Sequence, residues 1–364
     1  MKKILPFLIV WVLGVTTAHA FSFSAQAPSG QTLYFTVTEG SSVRVVAPAT
    51  TSWNGYTSPA GALTIPATVV NEGVAYTVTA VDRMAFQYCY DLTEVVIPGS
   101  VISIGQRAFA EDTLLVSATL QEGVQRIDMM AFFSCTRLET IALPTTLTRI
   151  AVSAFDNTAY YNNPENWNEG KVLTLGQWVL KVGNLAAGTV QIEEGLVGLA
   201  NSALLYCRYV DKVLLPSTMR IIGDGAFKDC YVLDTLQLLC EEPPSLSDDS
   251  FDGVAPLPVL VVPCSTATAY GASQYWNAFS IVEVPCPVAI GEAESADPLS
   301  VALTAGGVVV RGADGKTLTV SDMLGRKVHQ VAHAEAEQFL PLPAAGVYVL
   351  LSGSEVIKKI SYSK

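Results

Sequence analysis

The sequence predicts a mostly β protein: a solenoid of stacked coils with a cap at each end, followed by a small β-sandwich. Three observations predict it: a pattern with a period of 23 residues, apolar alternation inside each period, and a change of character after residue 300. A fixed period of this length is typical of stacked units that share one continuous core. The pattern is marked by an aromatic or leucine after a small residue, here called the marker residue: Phe86, Phe109, Phe132, Phe155, Leu204, Phe227 and the loose copy Phe251.

Each period contains one strand, as in the segment from Leu92 to Ile97, where apolar and polar residues alternate after the leucine. Pro98 ends it, because proline cannot donate to a sheet ladder. Repeats of a strand plus a short turn or helical piece, about 20–29 residues long, are leucine-rich repeats. The Ala-Phe-x-x-Cys-x-x-Leu form with its 23-residue step resembles the BspA-like bacterial leucine-rich repeats over roughly residues 21–285.

Residues 1–20 predict a secretory signal peptide, because two lysines precede an apolar run that ends in Ala18-His19-Ala20. No later stretch is apolar and long enough to span a bilayer, so we expect an exported protein without a membrane span. Residues 21–76 resemble the family's N-terminal cap, and the solenoid is expected over 77–240. An insert at about 156–190 breaks its register. Within these regions, strands are predicted at 31–38 and 42–46 and a hairpin at 172–182.

Residues 241–285 predict the C-terminal cap, with a strand at 259–262 and a helix at 265–275, and residues 286–300 predict a linker rich in Pro, Ala, Glu and Ser. Cys264 and Cys286 flank the end of the cap, where export permits a disulfide or leaves both free, with Cys240 left over. Four further cysteines share one column three residues after the marker and are expected as buried free thiols. They are Cys89, Cys135, Cys207 and Cys230.

Residues 301–364 predict a small β-sandwich of short alternating strands, at 308–311, 318–321, 328–331, 339–341, 347–351 and 356–362. Two sequence segments, VSDMLGRKV beginning at Val320 and PAAGVYV beginning at Pro343, resemble the type A C-terminal sorting domain of type IX secretion. The resemblance implies an address read by that export machinery and then removed. It also implies a protein secreted by, or displayed on the outer surface of, a Gram-negative bacterium.

Charge and residue types exclude several functions. Residues 21–301 carry 12 Lys and Arg and 28 Asp and Glu, a net charge of −16, which argues against nucleic acid and anionic lipid as partners. The histidines are His19, His329 and His333, so the repeat body has none for Ser-His or Cys-His catalysis or for a histidine-ligated metal. The aspartates 248, 249 and 252 match no standard calcium loop. We therefore expect no enzyme, no catalytic residue, no cofactor and no metal.

The expected function is that of a surface-displayed recognition or adhesion module for an extracellular protein. Two alternatives stay open: a glycan-binding protein whose site is the aromatic insert, and a structural surface component without a specific ligand. The candidate site consists of outward-pointing strand residues eight and ten places after the marker, with an aromatic rim; an ordinary solvated sheet face is the competing interpretation. These residues are Glu94, Val96, Ser117, Thr119, Thr140, Ala142, Lys212, Leu214, Thr235 and Gln237, with Tyr160, Tyr161 and Trp167 at the rim.

Overall fold

The computed structural model describes residues 21–169, 171–286, 299–304, 306–353 and 355–362. The predicted signal peptide and most of the predicted linker lie outside these residues. The chain divides into two compact units, one of Met1–Val261 with Thr268–Val282 and one of Val262–Ala267 with Glu283–Lys364. No helix among the described residues is long and apolar enough to cross a bilayer.

The N-terminal segment forms an antiparallel ribbon that turns into the solenoid. Its third strand pairs parallel with its sixth, and so begins the parallel stacking of the coils. The strands predicted at 31–38 and 42–46 are present as the second and third. The six strands are β1 (Phe23–Gln26), β2 (Thr32–Val37), β3 (Ser42–Val46), β4 (Gly61–Thr64), β5 (Thr68–Asn71) and β6 (Val74–Val81).

The first series of coils contributes two strands per period, a longer one after the marker and a two-residue one before the next marker. The longer strands form the parallel sheet β4-β7-β9-β11, and the short strands extend a second sheet in the order β6-β8-β10-β12. The sequence predicted the first of these sheets and missed the second, because two residues show no alternation. The strands are β7 (Leu92–Ile97), β8 (Ser103–Ile104), β9 (Ser117–Leu120), β10 (Arg126–Ile127), β11 (Thr140–Ala142) and β12 (Arg149–Ile150).

The marker residues form a ladder of stacked rings through the core, as the period predicts. The ring centroids of Phe86 and Phe109 lie 5.0 Å apart, those of Phe109 and Phe132 5.1 Å, and those of Phe132 and Phe155 5.4 Å. All four side chains are buried. Since every ring packs against its copies in the adjacent coils, the core is continuous along the stack.

The insert replaces one coil with a helical turn and a three-stranded antiparallel meander. Its last strand pairs parallel with the next short strand, Trp178 opposite Gly198, so the meander begins a separate sheet that the short strands of the following coils continue. The predicted hairpin at 172–182 is present as the last two strands. The elements are α1 (Ala159–Asn162), a 3-10 turn (Pro164–Asn166), β13 (Trp167–Asn168), β14 (Val172–Leu175) and β15 (Trp178–Val182).

The second series of coils builds the sheets β15-β17-β19 and β16-β18-β20-β21-β22. The helix predicted at 265–275 is shorter, and both residues at its predicted ends, Ser265 and Tyr275, adopt left-handed φ of 64° and 67°, which helical backbone excludes. Cys264 and Cys286 form a disulfide. The elements are β16 (Ala187–Gln191), β17 (Gly198–Leu199), β18 (Tyr209–Leu215), β19 (Ile221–Ile222), β20 (Thr235–Leu238), β21 (Val259–Val262), α2 (Ala267–Ala272), a 3-10 turn (Trp276–Ala278) and β22 (Ile281–Glu283).

The C-terminal unit contains two antiparallel sheets, β23-β24-β27 and β26-β25-β28-β29. They share one core that includes Val308, Leu318, Leu340 and Leu350. All six predicted strands are present, and the first strand was missed because it starts at the end of the predicted linker. The strands are β23 (Ser300–Thr304), β24 (Gly307–Arg311), β25 (Leu318–Asp322), β26 (Lys327–Val331), β27 (Glu337–Pro341), β28 (Gly346–Ser352) and β29 (Glu355–Tyr362).

Candidate functional site

The candidate site is the outward surface of β7, β9 and β11, here called the sheet face: Glu94, Val96, Ser117, Thr119, Thr140 and Ala142. The parallel register aligns these residues in two rows across the strands. Glu94, Thr119, Thr140 and Ala142 are exposed, whereas Val96 and Ser117 are half-buried. Their inward neighbours Val95 and Ala118 are buried. The expected alternation therefore gives a surface of small side chains with one carboxylate.

The corresponding surface of β18 and β20 differs from the prediction. Lys212 and Thr235 are half-buried, and Leu214 and Gln237 are only 4% and 6% exposed. The prediction that Leu214 and Gln237 offer a solvent-accessible surface is wrong.

The surface of β18 and β20 differs from the sheet face in the size of the side chains along one row. In this sheet the register places Leu214 between Gln191 and Gln237, and Gln237 beside Val261. Strands lie about 4.8 Å apart, so long side chains in neighbouring strands cover one another. The equivalent row of the sheet face consists of the smaller residues Thr64, Val96, Thr119 and Ala142.

The aromatic residues of the insert are half-buried against the insert itself. The Tyr160 hydroxyl donates to the carbonyl oxygen of Thr174 at 2.6 Å, and the Trp167 indole N–H donates to the carbonyl oxygen of Tyr161 at 2.8 Å. The rings of Tyr161 and Trp167 meet edge to face at 5.5 Å. Burial raises the pKa of both tyrosines. These contacts favour a packing role over an open aromatic platform.

The column three residues after the marker is buried and bonded to the backbone. Cys135 Sγ donates to the carbonyl oxygen of Phe109 at 3.0 Å, and Cys230 Sγ donates to that of Leu204 at 3.1 Å. Burial raises the pKa of Cys135, which keeps this thiol protonated and unreactive. Asp112 in the same column accepts from a backbone N–H, whereas the two thiols donate to carbonyl groups.

Asp112 differs from the cysteines of its column because its side chain is a carboxyl. Its side chain is fully buried, Oδ1 accepts from the backbone N–H of Cys89 at 2.8 Å, and Oδ2 has no partner. Burial raises the pKa of this carboxyl well above its ordinary range, although the Cys89 hydrogen bond opposes the shift. The carboxyl lies in the core near the buried thiols of Cys89 and Cys135.

A cavity of about 230 Å³ lies where the second series of coils resumes after the insert. Arg149 and Asp224 line it and form an ion pair at 3.0 Å, and Asn201 donates to the same carboxylate at 2.9 Å. These bonds join the last coil of the first series to the second series. Among the described residues, no cluster of histidine, cysteine, aspartate and glutamate could hold a metal ion.

Sequence reasoning missed a second exposed surface, here called the turn patch: Tyr206, Arg208, Tyr209, Tyr231 and Val232. All five side chains are exposed in the turn that follows the marker residue. The available signal was the repeated occurrence of tyrosine two to five residues after a marker residue, as in Tyr206, Tyr209 and Tyr231. Four of these residues precede the long strand and Tyr209 begins it, so the search for outward residues eight and ten places after the marker did not reach them.

Comparisons with known proteins identify both parts of the chain. A family described as "BspA type Leucine rich repeat region (6 copies)" matches residues 73–181 and 182–290. A domain of unknown function, DUF6383, matches residues 287–361. No curated protein matches the chain.

Several solved structures are similar. A leucine-rich repeat protein from Bacteroides capillosus is 27% identical, with 38% of this chain and 95% of that chain covered and a TM-score of 0.32. A leucine-rich repeat protein from Bacteroides ovatus is 15% identical, with 73% and 100% covered and a TM-score of 0.35. A leucine rich cell surface protein from Faecalibacterium prausnitzii is 18% identical, with 72% and 94% covered and a TM-score of 0.26.

Proposed function

The chain belongs to the BspA-type leucine-rich repeat family, and from this premise we propose that it is an exported, surface-displayed module that recognises an extracellular protein. The observation that carries the proposal is the open sheet face. Its exposed residues are small and mostly uncharged, so a partner can cover them without a large desolvation cost. Repeat arrays bind through such extended surfaces, and catalysis is not part of the proposed role.

The sheet face is tested by placing two arginines on it. The variant Thr119→Arg plus Thr140→Arg introduces long charged side chains at two exposed positions of adjacent strands. We expect it to lose at least about tenfold in affinity for the ligand, because buried unpaired charge opposes docking. The ligand is first found by probing an array of extracellular-matrix proteins and glycans with the purified protein, and affinities are then measured by surface plasmon resonance.

The matched control is Thr113→Arg plus Thr136→Arg, which adds the same charge to the same two coils in the turn four residues after each marker. Both variants should keep the circular dichroism spectrum and melting temperature of the parent. Undiminished affinity of the sheet-face variant would contradict the proposal. A ligand found only among the glycans would favour the glycan-binding alternative, which the packed insert aromatics do not support.

We propose further that residues 301–364 act as a type IX secretion sorting domain. The segments beginning at Val320 and Pro343 support this proposal, as does the hydrophobic core that the unit forms from its own residues. A sorting domain of this kind is consistent with display of the protein on the outer surface of a Gram-negative cell.

Deleting residues 301–364 should leave the protein in the periplasm, because the export address is lost. Protease treatment of intact cells, followed by immunoblotting of cell fractions, measures the location. Fusing residues 287–364 to an unrelated periplasmic protein is the matched control and should bring that protein to the surface. Unchanged surface display of the deletion variant would contradict the sorting role.

A further inference from the structure

Exposed tyrosines concentrate in one turn of the coils. Six tyrosines of the described residues are exposed, and five of them lie two to five residues after a marker residue. The corresponding turns of the middle coils carry small or charged residues, such as Thr113 and Ser134. The concentration therefore belongs to particular coils and is not a property of the repeat. The five are Tyr88, Tyr90, Tyr206, Tyr209 and Tyr231.

The turn patch spans two adjacent coils around one arginine. The guanidinium carbon of Arg208 lies 5.4 Å from the ring centroid of Tyr206 and 5.6 Å from that of Tyr231. The Tyr231 hydroxyl donates to Asp229 Oδ1 at 2.9 Å. No carboxylate of the described residues forms an ion pair with Arg208. The rings thus hold the guanidinium in place while its donors stay open to a partner.

The coil itself does not require a tyrosine at this place. Tyr206 adopts a left-handed φ of 62°, as do Ser134 (58°) and Asn157 (62°) in the same column. Asparagine tolerates this conformation better than a bulky residue does, so an aromatic side chain here is costly to the fold. A side chain that is exposed, apolar and locally unfavourable indicates a role in binding.

Acidic residues border the turn patch on the side of the long strand. Asp211 and Asp234 are exposed and occupy the same column in adjacent coils, where the backbone N–H of Asp234 donates to the carbonyl oxygen of Asp211 at 2.9 Å. The whole chain carries a net charge of −12. A partner with basic residues beside its apolar contact is therefore electrostatically complementary to this border.

We propose that the turn patch docks a protein partner through an apolar side chain of that partner flanked by lysine or arginine. Tyrosine and arginine dominate the energetic centres of protein interfaces, and an arginine already held by two rings loses less freedom on binding. The inference rests on the proposed function only in taking a protein as the partner. It uses a different surface from the sheet face.

The probe is a random peptide library displayed on phage and selected on the full-length mature protein. Selected peptides should be enriched in lysine or arginine next to an aromatic or aliphatic residue. Tyr206→Ser plus Tyr231→Ser should weaken their binding at least about tenfold. Asp211→Asn plus Asp234→Asn should weaken it less and should reduce its dependence on salt, because only the charged border is removed.

Two matched controls should retain peptide affinity: Tyr88→Ser plus Tyr90→Ser, which removes a tyrosine pair elsewhere, and Thr119→Arg plus Thr140→Arg on the sheet face. Arg208→Gln gives a second test of the patch should the double tyrosine variant fail to fold. Peptides without basic enrichment, or equal affinity of the patch variants and the parent, would overturn the proposal. Such a result leaves the array test of the sheet face unaffected, so the two proposals fail separately.

Discussion

Replacing Phe109 with alanine is expected to lower the free energy of unfolding of the repeat body by about 3–5 kcal/mol. The Phe109 ring is fully buried and stacks on Phe86 at 5.0 Å and on Phe132 at 5.1 Å, with interplanar angles of 11° and 4°. Its removal opens a cavity between two coils that are fixed by their own backbone ladders. The rings on either side cannot collapse into that space without breaking the coil register. The measurement is urea unfolding followed by far-ultraviolet circular dichroism.

The control for this variant is Tyr88→Ala, which removes an aromatic ring that is 45% exposed in the same series of coils. We expect the control to change the unfolding midpoint much less than Phe109→Ala does, because nearly half of the Tyr88 side chain already faces solvent. A Phe109→Ala protein that melts within about a degree or two of the parent would contradict a continuous buried ladder, given the usual effect of about 2–8 °C per kcal/mol.

Replacing Asp112 with asparagine is expected to stabilise the protein at pH 7. The fully buried carboxyl has one hydrogen bond, from Cys89, and one oxygen without a partner. Desolvation raises its pKa in the folded state, so there is a pH range in which the folded protein holds a proton that the unfolded chain has released. Asparagine is neutral in both states and keeps an oxygen that can accept from Cys89 N–H. The backbone N–H of Cys89 also donates to the carbonyl oxygen of Phe86 at 3.0 Å.

The gain in unfolding free energy from Asp112→Asn is expected to increase as the pH rises. Below the ordinary aspartate pKa of about 3.9, the carboxyl is neutral in both states and the two proteins should have similar stability. Above it, the parent loses about 1.4 kcal/mol per pH unit relative to the variant until the pH reaches the raised pKa. Unfolding free energies of the two proteins from urea titrations between about pH 4 and about pH 7 measure this slope.

The control is Asp91→Asn, which neutralises an exposed aspartate and should show no such slope. Equal pH dependence of the parent and Asp112→Asn would show that Asp112 is ionised in the folded protein. Cys135, Cys230 and Thr158 occupy equivalent positions in other coils, and their neutral side chains donate to nearby carbonyl groups, which an ionised carboxylate cannot do.

The sequence by itself determined the stacked architecture. A 23-residue period places Phe109 above Phe86 and Thr119 beside Val96, because each coil must repeat the backbone path of the last for the strands to pair. The same argument identified the place where the pattern breaks, which the structure shows as the insert. The cysteine column followed from the period as well. Alternation and period are local properties, and a stacked fold converts them directly into contacts.

Only the tertiary structure decided which outward residues reach solvent. Leu214 and Thr119 occupy the same column, yet Leu214, which lies between the longer residues Gln191 and Gln237, is buried and Thr119 is exposed. The insert aromatics, predicted as a rim, pack on their own backbone, and the exposed tyrosines lie in a turn that no strand pattern marks. The position of a residue within the repeat fixes the direction in which its side chain leaves the backbone. Exposure depends on the volume of the side chains beside it, which belong to other coils and meet only in the folded stack.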